Sequence, residues 1–248
     1  MILFNQLYGR LGNNIIQLSN MIHIAIAYKH NIKFNVKINF FDLSIIEKYF
    51  NNYDNNEIIT DKYNFFYKDK LPFSSEIFEQ NIEEINKLLK KAFLINNINK
   101  LHENDLVIHI RSGDIFTSNP HCNYVPPSLS YYIREINKYN YEKIYIICED
   151  NVNPVVNQLL KLYKNAIYEK NTLEKDIRII LGATNIMYSI GSFIPQLMLL
   201  SNNIKFIHNP FNNENKEYNK IVEDYYKIMH PWKNTIEQRK YILTYDNM

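Results

Sequence analysis

Short apolar runs alternate along this chain with stretches in which apolar residues recur every third or fourth position. Ile2, Leu3 and Phe4 open it as a strand-like run. The polar turn LYGRLGNN follows, and then Ile15, Leu18, Ile22 and Ala25 recur at helical spacing as far as His30 and Asn31. Phe34, Val36 and Ile38 alternate as a second strand would. Strand, glycine-bearing turn, helix and strand make a βαβ unit. Beyond it the pattern predicts a short helix near Leu43–Phe50, a strand at Asn64–Tyr67 and an amphipathic helix from Ile77 to Phe93. Ile82, Ile85, Leu88, Leu89 and Ala92 share one side of that last helix.

A second series begins at Asp105. Leu106, Val107, Ile108 and Ile110 form the kind of run that is buried on both faces in a parallel sheet. The polar loop TSNPHCNYVPP then leads into a helix from Ser128 to Tyr139. Lys143–Cys148 reads as the next strand, Pro154 opens a helix, and Ala166–Tyr168 is a short strand. Thr172 caps a helix with Glu174 in its first turn. Ile186–Ile190 is a strand, Gln196–Leu200 a helix and Ile204–Ile207 a closing strand. The tail from Tyr218 to Tyr245 is helical, broken at Pro231.

Alternating strands and helices in both halves predict an α/β protein with two doubly wound, Rossmann-type parallel sheets. The expected domains are residues 1–104, residues 105–212 and a C-terminal helical segment, 213–248, that packs back on the first. Composition agrees with a globular chain: 46% of the 248 residues are hydrophobic and 22% charged. A formal net charge of +2 gives no broad field for nucleic acid, so any anion site is local. The N-terminus lacks a basic segment followed by an apolar one, so no signal peptide is expected. The most apolar stretch, Ile186–Leu200, is interrupted by Ser189, Gly191, Ser192, Pro195 and Gln196, so no transmembrane segment is expected either. These readings point to a cytoplasmic protein. Cys148 falls within a strand and reads as a buried thiol, and no Cys/His pair has zinc spacing, so no metal is expected.

Candidate chemistry sits where the strands end. In open parallel sheets ligands bind at the carboxyl ends of strands. Three such ends carry polar groups here: His109, Arg111 and Asp114 on one, Glu149 and Asp150 on the next, and Ser189, Gly191 and Ser192 on a third. The Arg111 guanidinium is a rigid fork that fits phosphate oxygens two at a time. A Gly-Ser helix start offers backbone N–H groups to an anion. Glu149 or Asp150 would accept from a base or from ribose hydroxyls. His109 reads either as a core histidine or as part of the site. Asp114 reads either as a partner of Arg111 or as a reacting carboxylate. Of the five glycines, Gly9, Gly12, Gly113 and Gly191 lie at such turns, as close approach of a ligand to backbone requires.

These residues resemble the motifs of the inverting α-1,2-fucosyltransferase-like glycosyltransferases, whose two-domain fold is called GT-B. The family's opening turn stands here as Gly9-Arg10-Leu11-Gly12-Asn13, followed by Asn14 where glutamine is usual. Its H-x-R-R-x-D motif matches His109, Arg111 and Asp114, with Ser112 in place of the second arginine. The strand ending in Glu149-Asp150 and the segment Ser189-Ile190-Gly191-Ser192-Phe193 match more loosely, and the Trp-rich stretch that often follows is absent.

The resemblance implies a GT-B-like fold with two domains facing a cleft, and metal-independent transfer of a sugar to a glycan hydroxyl. Fucose from GDP-fucose is the expected donor group. His109, Arg111, Glu149, Asp150, Ser189, Gly191, Ser192 and Phe193 would bind the donor, and the Gly9–Asn13 loop would face the cleft. Arg111 would neutralise the departing diphosphate, with Asp114 nominated as base and His121 as its runner-up. No cofactor is implied beyond the nucleotide-sugar substrate. Ser112 keeps two alternatives open: another nucleotide sugar, or a non-catalytic binding relic of the same fold.

Overall fold

In the computed structural model, Ile2, Leu3 and Phe4 form a strand, β1 (Ile2–Phe4), whose side chains at positions 2 and 4 are fully buried. The structure describes residues 1–53, 57–71, 73–210 and 216–245. Helix α1 (Leu11–Tyr28) begins a turn earlier than the apolar spacing from Ile15 suggests, because Leu11 and Gly12 are already buried. It ends at Lys29, which adopts the left-handed conformation at φ 57°. Strand β2 (Ile32–Phe34) pairs in parallel with β1, Ile2 opposite Ile32. Helices α2 (Leu43–Phe50) and α3 (Ile82–Ala92) lie in this part as well, with 3-10 turns at Lys68–Lys70 and Ser75–Phe78.

The expected doubly wound sheet of the first unit is therefore corrected. Among the described residues it holds two strands, extended only by a parallel bridge from Ile2 to Ile59. Asn64–Tyr67 is not a strand: Asn64 and Phe65 have φ of 48° and 65°, which no β ladder accommodates. The hydrophobic layer over β1 and β2 comes from helices instead.

The second unit meets the expectation. Strands β3 (Leu106–His109), β4 (Ile144–Ile147), β5 (Ala166–Tyr168), β6 (Asn185–Tyr188) and β7 (Phe206–His208) form one parallel sheet in the order β5-β4-β3-β6-β7. The chain winds outward from β3 on one side and then returns to the other. The strand order thus reverses between β3 and β6, the position where such sheets take their ligands. Three helices connect the strands: α4 (Leu129–Ile136), α5 (Pro154–Leu162) and α6 (Leu173–Gly182). Their starts are capped by the Ser128, Asn153 and Thr172 side chains, each accepting a backbone N–H. The Cys148 thiol is buried after β4, which pushes its pKa up to about 12.

Two segments depart from the expected domain pattern. Residues 192–200, with helix α7 (Phe193–Met198), belong to the first unit and pack on α1. Helices α8 (Lys216–Met229) and α9 (Ile236–Thr244) belong to the second, where α9 packs on α4 and α5. Residues 213–215 and 246–248 of the expected tail lie outside the described residues. The tail thus supplies Tyr225, Met229, Trp232 and Ile242 to the core under β3 and β4 rather than to the first unit. Among the described residues no helix is long and apolar enough to cross a membrane.

A buried ionic hub ties α4 to the edge strand β7. Glu135, 5% exposed at its side chain, accepts from Arg134 Nε at 3.0 Å and from Lys138 Nζ at 2.8 Å, and lies 3.1 Å from His208 Nδ1. Burial pushes its pKa up, but the hydrogen bonds of His208, Lys138 and Arg134 outweigh burial and hold it at about 2. A carboxyl lowered from 4.5 to about 2 stabilises the fold by roughly 3 kcal/mol above the unfolded pKa. That contribution is lost as pH falls through the folded value. Glu135→Gln is therefore expected to cost about 3 kcal/mol in urea unfolding at pH 7. The gap to the parent should close between about pH 4.5 and 2; a gap constant across that range would mean the loss is steric.

Candidate functional site

The carboxyl ends of β3 and β6 are latched together before any side chain reaches out. The Ser189 N–H donates to the His109 oxygen at 3.1 Å, and the Arg111 N–H donates to Ser189 Oγ at 2.9 Å. On the other side Asn153 Nδ2 donates to the Arg111 oxygen at 3.0 Å. The Arg111 backbone is thus fixed from both neighbouring strand ends, and Ser189, 1% exposed, is a positioning group.

The Arg111 side chain, 13% exposed, is held in a cage. Nε and Nη2 donate to the two Asp114 oxygens at 3.2 and 2.8 Å, a two-pronged pair. The guanidinium carbon lies 3.8 Å from the centre of the Tyr124 ring. Nη1 is turned to Gly191, whose φ is +100° and where a Cβ would stand 2.7 Å from that nitrogen. Only glycine adopts that backbone readily and lets the fork lie against it. Burial lowers the arginine pKa, but the Asp114 hydrogen bonds and charge, with Tyr124, reverse this and raise it.

Of the two readings of Asp114, the pairing with Arg111 is present. Ser112 is a buried staple: its hydroxyl donates to Asp150 Oδ1 and accepts the Asn153 N–H at 3.0 Å. Asp150 Oδ1 also accepts from the Val152 N–H at 3.1 Å, so this carboxylate organises the turns after β3 and β4. The Glu149 carboxylate lies against Gly113, where a Cβ would be 2.6 Å from Oε2. His109 is half-buried at the end of β3, as alternation with Ile108 and Ile110 suggests. His121 is exposed, its ring 4.9 Å from that of Tyr124.

Ser192 and Phe193 serve the first unit. The Ser192 hydroxyl donates to Asn13 Oδ1 at 2.5 Å, and a Cβ on Gly12 would stand 2.8 Å from the Phe193 nitrogen and from Ser192 Oγ. Gly12 is what allows α1 and α7 to meet start to start. In the Gly9–Asn13 loop, Gly9 has φ +71°, Arg10 is exposed and precedes α1, and Leu11 is buried. Asn14 and Gln17 brace this turn, Asn14 Nδ2 donating to the Tyr8 oxygen at 3.3 Å and Gln17 Oε1 accepting the Tyr8 N–H at 3.0 Å.

Sequence reasoning did not foresee how the loop after β3 is held. The Trp232 indole N–H donates to the Ile115 oxygen at 2.6 Å, and its backbone N–H to the Cys122 oxygen at 2.9 Å. Tyr226 donates to the Asn123 oxygen at 2.7 Å and Tyr225 to the Pro126 oxygen at 2.9 Å. The tail is a clamp on the loop that carries Asp114 and Tyr124. The available signal was a lone tryptophan in a polar tail. Away from these strand ends, His102, Asp105 and Glu142 bring possible ligand atoms within 4.8 Å of one another, the one such group of three among the described residues.

A parallel sheet with an arginine caged at its switch point defines an α/β protein whose polar strand ends gather at the position where such sheets take their ligands. No protein-family model matches the chain, and no curated protein sequence matches it. Among solved structures the chain is similar to POFUT1 crystallised with GDP-fucose, with a TM-score of 0.49, 10% identity and coverage of 84% of this chain and 97% of that one. It is also similar to the POFUT1 apo-form, at a TM-score of 0.48, 11% identity and coverage of 84% and 96%. A second crystal form of POFUT1 with GDP-fucose gives a TM-score of 0.46 and 11% identity over the same shares of the two chains.

Proposed function

We propose that this protein is an inverting glycosyltransferase that takes a nucleotide diphosphate sugar as donor and a glycan hydroxyl as acceptor. The observation that carries the reading is the Arg111 guanidinium, buried between Tyr124 and Gly191 at the point where the strand order reverses. The match of His109, Arg111 and Asp114 to the fucosyltransferase-like motif supports GDP as the nucleotide and fucose as the sugar.

In this reading Arg111 stabilises the diphosphate as the bond to the sugar carbon breaks. The incoming phosphate takes over the Nε and Nη2 edge from Asp114, one bidentate anion replacing another. The carboxylate so released is the nominated base for the acceptor hydroxyl, and His121 is the second candidate. Glu149, beside Gly113, accepts from the nucleoside. Ser189 and Asn153 keep the arginine backbone from yielding as charge moves.

A second reading has one observation in its favour. Ser112 spends its hydroxyl on Asp150 and its oxygen on Asn153, so a second phosphate-binding arginine is replaced by a structural staple. A binding relic would keep nucleotide affinity and lose turnover. Thermal unfolding with GDP, UDP and GDP-fucose separates the possibilities. At a hundredfold excess over Kd, a GDP ligand is expected to raise Tm by about 5–10 °C, and UDP by much less. GDP release with a panel of glycans then distinguishes enzyme from relic; no response to any nucleotide sinks both.

A further inference from the structure

The first unit carries a second feature outside the donor residues. Tyr8 stands directly before Gly9, 37% exposed. Its ring stacks on Phe66 at 4.7 Å and 30°, and meets Tyr67 edge-on at 5.6 Å, with the two tyrosine hydroxyls 2.7 Å apart. Tyr63 continues the row, edge-on to Tyr67 at 5.2 Å. The Lys70 ammonium lies 4.4 Å from the centres of both the Tyr63 and Tyr67 rings. Among the described residues Lys70 has no acidic partner.

The loop that presents these rings is held against its own backbone preference. Asn64 and Phe65 are consecutive left-handed residues without being glycine, and at Phe65 that is a conformation bulky side chains disfavour. Asp61 Oδ2 accepts the N–H groups of Tyr63 and Phe65 at 2.8 and 2.9 Å. From beneath, two fully buried amides of α1 bind the same turn: Gln17 donates to the Asn64 oxygen at 2.8 Å and Asn20 to the Phe65 oxygen at 2.7 Å. Burying Phe65 alone requires none of this for Phe66, Tyr67 and Lys70, which remain partly or fully exposed.

We propose that Tyr8, Tyr63, Phe66, Tyr67 and Lys70 form the acceptor subsite, and that it takes an anionic sugar. A pyranose has an apolar C–H face and a hydroxyl rim, which suit an aromatic surface edged by phenol hydroxyls. The ammonium over two rings is positioned to meet an acid group on that sugar. The assignment deepens the glycosyltransferase reading, on which the word acceptor rests, but the sugar surface is tested separately from the donor.

The test is saturation-transfer NMR and titration of the whole chain with three tetrasaccharides: hyaluronan (carboxylate), chondroitin sulfate (sulfate) and cellotetraose (neutral). Saturation of aromatic protons is expected to pass to the acidic sugars, with the tighter of the two naming the anion. Kd should rise about tenfold in Tyr8→Ala and in Lys70→Met, the latter an exposed side chain whose loss leaves the fold intact. Arg111→Ala should leave sugar binding unchanged. Silence toward both acidic sugars in protein that still responds to GDP overturns the proposal, as does equal affinity for cellotetraose. Unchanged affinity in both variants overturns it as well. Sugar binding that depends on Tyr8 and Lys70 in protein blind to GDP keeps the anionic-sugar surface and removes the glycosyltransferase reading instead.

Discussion

Arg111→Ala is expected to abolish the GDP-induced rise in Tm and to lower turnover by 10²- to 10³-fold, on the order of what the loss of one preorganised oxyanion donor costs. The chain should remain folded, because the latches at this position are made by backbone. The N–H goes to Ser189 and the oxygen takes Asn153 whatever the side chain is. The Asp114 carboxylate, 46% exposed, is solvated enough to lose its partner. Arg111→Lys is the sharper variant. It keeps the charge, but it loses the two-pronged geometry and the flat stack on Tyr124. Lysine at this position should recover little of the GDP response. Full recovery by lysine, or an undiminished GDP response in the alanine variant, would remove Arg111 from the donor site.

Trp232→Ala has the largest expected effect on stability, about 3–5 kcal/mol, as for other buried aromatic truncations. For a chain of this size that lowers Tm by roughly 10 °C. The side chain is 1% exposed, packs edge-on to Phe116 with ring centres 5.6 Å apart, and satisfies the Ile115 oxygen. Its removal also frees the loop that carries Asp114 and Tyr124. Hydrogen exchange should therefore rise across residues 113–127 before the sheet opens, and GDP affinity should fall in protein that is still folded. Trp232→Phe retains most of the packing and loses the indole bond, so it should cost less. A drop in Tm with unchanged GDP affinity would make the tail a stabiliser and nothing more.

Local pattern was enough for much of the fold. The three central strands of the second unit, β3, β4 and β6, are short apolar runs and lie where those runs do, because a strand buried on both faces needs no alternation, while the edge strands β5 and β7 leave Ile167, Phe206 and Ile207 exposed. Capping residues at Ser128, Asn153 and Thr172 mark their helices for the same local reason. The reading failed where periodicity competes with side-chain hydrogen bonds. Asn64–Tyr67 looked extended, but Asp61, Gln17 and Asn20 hold it in left-handed turns. The tail failed for another reason: amphipathic helices show which face is apolar, not which core it will cover.

Within the site, the amino-acid order alone brought Arg111, Asp114, Glu149, Asp150, Ser189 and Gly191 to notice, because strand ends are legible as apolar runs that stop at polar residues. Their contacts were decided by packing. Only the three-dimensional arrangement turned Asp150 to Ser112, set Tyr124 under the guanidinium, moved Ser192 and Phe193 to α1, and brought Trp232 across more than a hundred residues to Ile115. Neighbours along the chain share a strand or a turn, and their pattern shows it. Partners distant in sequence meet through shape and hydrogen-bond complementarity, which leaves no period to read.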